Sequence, residues 1–173
     1  MATYKIDAAH SEILFKVKHL MITTVTGQFK TFDAELTAAA EDFSDAQVSF
    51  SADINSIDTR NEQRDGHLKS DDFFNAETYP QLTFTSSSFS KAGEGYVLKG
   101  DLTIRDVTKP VELNASYNGL MVDPWGQTKV GFEAEGTIKR KEFGLSWDAV
   151  TEAGGVVVSD DVKLMLNIQF IKQ

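Results

Sequence analysis

Residues 100–110, GDLTIRDVTKP, alternate: Leu102 and Ile104 fall on one side, Asp101, Thr103 and Arg105 on the other. The alternation resumes over 111–118, with Val111, Leu113, Ala115 and Tyr117 set against Glu112, Asn114, Ser116 and Asn118. A period of two with one apolar face predicts a β-hairpin buried on one side only. The same period recurs at Ile13, Phe15, Val17 and His19; at Phe32, Ala34, Leu36 and Ala38; and at Val48, Phe50, Ala52 and Ile54. Leu82, Phe84 and Ser86 continue it, as do Val130, Phe132, Ala134, Gly136 and Ile138, and then Val162, Leu164, Leu166, Ile168 and Phe170. Eight strands are predicted, separated by the turn-rich stretches EDFSD, KAGEG, RDVTKP, VDPWGQ and EAGGV. Pro110 is predicted to open its strand, where a missing N–H costs least.

The segment 57–80, IDTRNEQRDGHLKSDDFFNAETYP, breaks the alternation. Thr59 with Glu62 reads as a capping box, so a helix is expected to start there. Its apolar content is thin, limited to Leu68, Phe73 and Phe74, and Gly66 weakens it. A short surface helix and a second helical turn after Ser70 are expected, giving a helical segment near 59–78.

Eight strands with one apolar face each suit either a sandwich or a barrel. A sandwich packs the two faces together and leaves no room. A closed barrel of about eight strands has an interior that side chains fill or that holds one small ligand. Closure also removes sheet edges. Ala34, Ala38, Ala52, Ala115, Ala134, Gly100 and Gly136 lie among the large inward residues. They either leave space or accommodate taper and close strand packing.

Composition narrows the function. The 173 residues are 41% hydrophobic and 25% charged, as expected for one soluble domain spanning 1–173. The net charge is −9, the pI is about 4.8, and no basic cluster exceeds KRK at 139–141. That argues against nucleic-acid binding and against stable docking on an anionic bilayer. The absence of cysteine excludes a disulfide scaffold, a thiol nucleophile and a thiolate metal site. No stretch approaches the ~20 apolar residues of a membrane span, so stable membrane insertion is not expected. The opening MATYKIDAAHSEILF has no basic region followed by an apolar one. As written the chain reads as cytoplasmic; a mature periplasmic chain preceded by Met would read the same.

Polar chemistry is sparse. His10, His19 and His67 are the only histidines, and no pair has metal-ligand spacing. Neither a metal nor a cofactor is expected. His10 and Ser11 are adjacent and would point to opposite faces of a strand. There is no Gly-x-Ser-x-Gly elbow, and no catalytic residue is assigned. His19 shares parity with Ile13, Phe15 and Val17, as a core histidine or as a contact to a ligand head group. Met21 and Ile22 extend that apolar run toward a mouth. Arg64, Asp65 and His67 read as a solvated helix surface. Phe143 and Trp147 read as a hydrophobic plug at one barrel end.

Taken together, YKIDAAHSEILFKVKHL, GQFKTFDAEL, IDTRNEQRDGHLKSDDFF, YPQLTF, GDLTIRDVTKPVEL and RKEFGL resemble the YceI-like family, in order and nearly end to end. The resemblance implies an all-β fold: an extended eight-stranded antiparallel lipocalin-like barrel with a short helix beside it. It also implies a hydrophobic pore for a long-chain amphiphile, either a polyisoprenoid such as an isoprenoid quinone or its precursor, or a fatty-acid-like lipid. A homodimer is compatible with it. One departure is Asp106, where the family usually has Gly in the hairpin turn. Aspartate tolerates left-handed geometry, so the hairpin is expected to persist.

The expectation is a binding protein that sequesters or carries such a lipid. Inward parity nominates Phe15, Val17, Met21, Phe50, Phe84, Leu102, Ile104, Phe132 and Leu166 as the ligand-binding wall. His19 and His67 are nominated to orient the head group, and Phe143 and Trp147 to close an end. Two rivals stand beside it. One is an enzyme acting on the lipid, with His67 and Asp65 or Asp72 as acid and base. The other is a solid-barrel interaction module.

Overall fold

The computed structural model describes residues 1–148 and 157–173; the predicted EAGGV turn lies outside them. The strands are β1 (Ala2–Ile6), β2 (Glu12–His19), β3 (Thr23–Phe29), β4 (Phe32–Ala38), β5 (Gln47–Asp53), β6 (Ile57–Asp58), β7 (Gln81–Ala92), β8 (Gly95–Ile104), β9 (Val107–Val122), β10 (Thr128–Lys139) and β11 (Val158–Lys172). Among the described residues one α-helix, α1, spans Glu62–Lys69.

The hydrogen-bonded order β1-β4-β5-β7-β8-β9-β10-β11 returns to β1, so eight antiparallel strands close a barrel. The closing pair is β1–β11, with Ile6 opposite Phe170. Beyond that ring the wall continues. The first half of β11 pairs with β2 instead, with Leu164 opposite Phe15. β3 follows β2, and the two-residue β6 ends the series. The handover from β1 to β2 is a single 3-10 turn at Ala8–His10. Asp7 caps it, accepting from the Ala9 N–H and facing His10 Nδ1 at 2.8 Å. A second 3-10 turn, Ile54–Ser56, separates β5 from β6 in the same way.

Periodicity finds the eight long alternating runs but not β1, β3 or β6. β1 is five residues and β6 only two. β3, TTVTGQF, is β-branched but half polar. Pro110 does not open its strand: β9 begins at Val107 and carries Pro110 opposite Asp101 of β8. β10 pairs with β9 only from Asn114 onward, so the missing N–H falls where β9 is still an edge.

α1 does not begin at Thr59. Its N-cap is Asn61, whose side chain accepts from the Arg64 N–H at 3.0 Å. Thr59 is instead buried as a joint. Its N–H donates to Asp65 Oδ1 at 2.9 Å, and its hydroxyl donates to the same oxygen. Arg64 Nε donates to that hydroxyl at 2.8 Å, and Arg64 Nη2 to the Thr59 carbonyl. Arg64 and Asp65 thus converge on one residue rather than forming a loose solvated surface.

The β8–β9 hairpin is kept, with Ile104 opposite Val107. The left-handed residue of its turn is Arg105 (φ 56°), not Asp106. Arg105 Nη1 donates to the carbonyls of Asp71 and Phe73, both at 3.1 Å, and its Nη2 meets Asp71 Oδ1 at 3.0 Å. Those bonds pin the segment after α1 against the barrel. They also help hold Arg105 in a conformation that costs a non-glycine residue about 1–2 kcal/mol.

Candidate functional site

The apolar faces enclose a cavity of about 230 Å³. An apolar cavity of ~150 Å³ is large enough to stay dry and bind benzene. Along β11 the lining takes in Val158, Val162, Leu164, Leu166, Ile168 and Phe170. At ~3.3 Å per residue, Val162 to Phe170 alone cover about 26 Å. The space is therefore a long bore rather than a bowl.

Every described residue lining the bore is apolar except Arg140. The inward residues of β11 show the hollowness directly. Leu164, Leu166 and Ile168 are only half-buried although they sit mid-strand between β10 and the β1–β2 wall. In a solid barrel such residues would be fully buried.

One end is sealed by rings. The β4–β5 loop inserts Phe43, which is 2% exposed, against Tyr4, Tyr117 and Phe132 at centroid distances of 5.5, 5.3 and 5.5 Å. Phe43 has a left-handed backbone (φ 61°). The Tyr96 hydroxyl donates to the Asp42 carbonyl at 2.8 Å and ties the loop to β8. Edge-on ring pairs of this kind add about 0.5–1.5 kcal/mol each beyond burial.

Arg140 marks the other end. It follows β10, is 3% exposed, and directs its guanidinium to main-chain carbonyls. Nε donates to Ser159 at 2.9 Å, Nη1 to Leu145 at 2.6 Å and to Trp147 at 2.7 Å, and Nη2 to Val158 at 3.1 Å. Burial pulls its pKa below the usual arginine value, while Asp148 and Asp160 act the other way. Arginine remains charged across the working range all the same. The result is a strap joining the chain after β10 to the start of β11, with its donors engaged by four main-chain carbonyls.

The side wall beside β3 is completed by the segment whose sequence breaks the alternation. Leu68 of α1, with Phe73 and Phe74, lines the bore. Phe74 meets Phe29 of β3 at 6.1 Å, and Phe73 meets Trp147 at 5.5 Å. Inward parity cannot nominate these three, because none of them lies on a strand.

Phe15, Val17, Phe50, Phe84, Leu102, Ile104, Phe132 and Leu166 all line the bore. The other nominated residues do not. His19 and Met21 are exposed, because β2 runs out at His19 and turns over Leu20 and Met21 (φ 53° and 60°). His67 stands outside the lining. Its Nε2 faces Asp72 Oδ2 at 2.8 Å, and its ring packs edge-on to Trp147 at 4.8 Å and Phe73 at 5.1 Å. Phe143 is 1% exposed and packs in one buried cluster with the lining residues Leu102, Ile104 and Leu145 without itself lining the bore. Trp147 packs on that cluster, covering Phe73. Leu68, Phe73, Phe74 and Arg140 are among the lining residues that sequence reasoning misses, with Leu14, Phe29, Phe89, Leu98, Leu145 and Val158.

Two of the histidines pair with separate carboxylates, His10 with Asp7 and His67 with Asp72. His10 pairs with Asp7, while the Ser11 hydroxyl accepts from the Gln169 N–H at 3.0 Å, so the two neighbours serve different partners. Among the described residues no three His, Asp or Glu side chains are grouped as a metal site would require. No helix among them is long and apolar enough to cross a membrane.

The chain is similar to known proteins over nearly its whole length. The YceI-like domain family matches residues 4–170. A UPF0312 protein of Photorhabdus laumondii is 40% identical over 174 residues, covering 99% of this chain and 88% of that protein. Among solved structures, BcnA of Burkholderia cenocepacia superposes with a TM-score of 0.82 at 24% identity, covering 95% of this chain and 98% of the other. A polyisoprenoid binding domain from Saccharophagus degradans superposes with a TM-score of 0.71 at 18% identity, covering 98% of each. At those identities the two structures speak for the fold. The family match and the 40% identical relative speak for descent: this chain belongs to the YceI family.

Proposed function

We propose that this protein binds and sequesters or carries one long-chain lipid in its bore, a polyisoprenoid or isoprenoid quinone in preference to a fatty acid. The observation that carries the reading is the lining: apolar along its length among the described residues, with the one charged residue among them, Arg140, committed to main-chain carbonyls. A carboxylate inside such a bore would lie without a donor and would lose several kcal/mol of hydration. An uncharged chain loses nothing comparable. Each buried CH₂ contributes roughly 0.8 kcal/mol, so a dozen supply about 10 kcal/mol before ordering and association costs are subtracted. The polyisoprenoid binding of the Saccharophagus domain, which shares the barrel, agrees with this choice.

On this reading Phe15, Val17, Phe50, Phe84, Leu102, Ile104, Phe132 and Leu166 contact the chain, together with Leu68, Phe73 and Phe74. Phe143 and Trp147 hold the wall from behind. The protein acts by binding and not by catalysis. His67, paired with Asp72, stands behind Phe73 and Trp147 and outside the described lining of the bore, so substituting His67 should leave the cargo chemically unchanged and bound.

A displacement assay tests this. Stripped protein is loaded with a fluorescent polyene fatty acid and challenged with a polyprenol, an isoprenoid quinone and palmitate. Displacement at stoichiometric polyprenol or quinone, with palmitate needed in large excess, is the expected order. Equal potency of palmitate would overturn the preference, and displacement by none of the three would overturn the binding reading itself.

A further inference from the structure

We propose that the tip of the β2–β3 hairpin docks the barrel reversibly on a bilayer surface containing anionic lipid. The reading of the bore as a lipid site supplies the reason to visit a membrane, but the contact is argued from the tip alone.

The turn runs from His19 to Ile22, whose N–H donates to the His19 carbonyl at 3.2 Å. Its two central residues, Leu20 and Met21, both have positive φ, 53° and 60°. Hairpin turns of this type strongly favour Asn-Gly, because a side chain at positive φ is crowded. Here two bulky apolar residues occupy the crowded positions. They gain no burial in return: Leu20 is 40%, Met21 60% and Ile22 79% exposed. Strain and exposure at one spot both work against folding, and an outlier of that kind points to function.

Charge points the same way. The chain carries 26 acidic residues, yet none falls between Ile13 and Phe32. Lys30 in that stretch is paired with Asp58 at 3.0 Å at the far end of β3, which leaves Lys16, Lys18 and His19 on the strand that leads to the tip. Lys18 Nζ donates to the Thr24 hydroxyl at 3.0 Å, which leaves its charge for a partner outside the hairpin. On neighbouring elements Asp161 is paired with Lys139 and Asp148 with Lys141 at 2.9 Å, while Asp160 accepts from the Lys141 N–H at 3.0 Å. An apolar tip with flanking lysines suits an interface of acyl chains and anionic head groups. The net charge of −9 opposes prolonged residence, so contact is brief.

Position completes the case. Val17 and Val158, which line the bore, lie against this tip: Val158 pairs with His19, and the Leu20 N–H donates to the Val157 carbonyl at 2.8 Å. The β9–β10 turn exposes Met121 and Trp125 as well. It lies at the opposite end of β11, where Lys129 faces Ile171 beyond the Phe43 seal, and it serves as the control.

The chain has no cysteine, so a single environment-sensitive fluorophore can be placed at Met21→Cys or at Trp125→Cys. Cargo-free protein is mixed with vesicles of phosphatidylcholine, alone or with phosphatidylglycerol. The label at 21 should brighten several-fold and shift to the blue, more so with phosphatidylglycerol and less at high salt; the label at 125 should not. Leu20→Asn with Met21→Gly supplies the favoured turn residues. It should fold at least as well as wild type and no longer float with vesicles. An unresponsive label at 21, or an equal response at 125, would overturn the proposal. So would a response that needs no vesicles and grows with protein concentration, which would mean that a second copy covers the tip. Cargo binding is read separately by mass spectrometry, so either result can fail without the other.

Discussion

The ring of Phe15 lies across Gly27 on the neighbouring strand, in the space a side chain at Gly27 would occupy. Phe15 lines the bore, so Gly27 lets the ring lie back against the wall. Valine at 27 suits a strand, but it would push the ring inward. Gly27→Val is therefore expected to obstruct the bore while changing no charge. Overpacking of this kind costs about 1–3 kcal/mol, which leaves a folded barrel. Chemical denaturation and a cargo-binding titration on the same sample separate the two effects: a modest loss of stability with a large loss of affinity.

Phe43→Ala should destabilise the barrel by about 3–5 kcal/mol, the usual range for truncating a fully buried aromatic residue. Tyr4, Tyr117 and Phe132 would then face an empty space where the ring now packs. A loss well below 2 kcal/mol in a denaturation curve would show that the ring cluster does not seal this end.

The same loop carries an acid-sensitive contact. Asp42 is held at a pKa of about 2, chiefly by hydrogen bonds from the Ser44 hydroxyl and N–H, then by Lys91. A carboxyl depressed from its ordinary 3.8 in the folded state adds stability that is complete above about pH 4 and disappears as pH falls toward 2. Asp42→Asn should flatten this part of the acid-unfolding profile. Wild type and variant should differ most near neutrality and converge in strong acid; a constant offset across that window would contradict the assignment.

Arg140→Met should be the most damaging of these substitutions outside the ring cluster. It removes the donors to Leu145, Trp147, Val158 and Ser159. Each buried carbonyl left without a partner costs about 1–3 kcal/mol. A total of at least 3 kcal/mol is expected by denaturation. Arg140→Lys should recover only a part, since a single ammonium cannot span carbonyls on two separate segments.

The strands with one buried face are readable because burial imposes a period of two, and Leu102, Ile104 and Phe132 follow directly from it. Strands too short or too polar to show that period, β1, β3 and β6, are not readable. Leu68, Phe73 and Phe74 escape for a related reason. They reach the bore from a helix and an irregular loop, where no parity tells inside from outside. Thr59 reads as a cap because the capping-box spacing to Glu62 is satisfied by residue type alone. Only the fold shows Asn61 taking that place while Thr59 sinks between Arg64 and Asp65. His19 has the right parity, but its strand ends there, and parity carries no information past the end of a strand. Arg140 cannot be found from sequence, since its partners are carbonyls and any residue supplies those.

The most direct test of the central claim is mass spectrometry on the purified protein, native and then after solvent extraction, beside Gly27→Val from the same host. The account predicts one long-chain isoprenoid lipid per wild-type chain and little or none on the variant. Wild-type protein that stays empty after incubation with polyprenols, quinones and fatty acids would contradict it, as would equal loading of the two proteins.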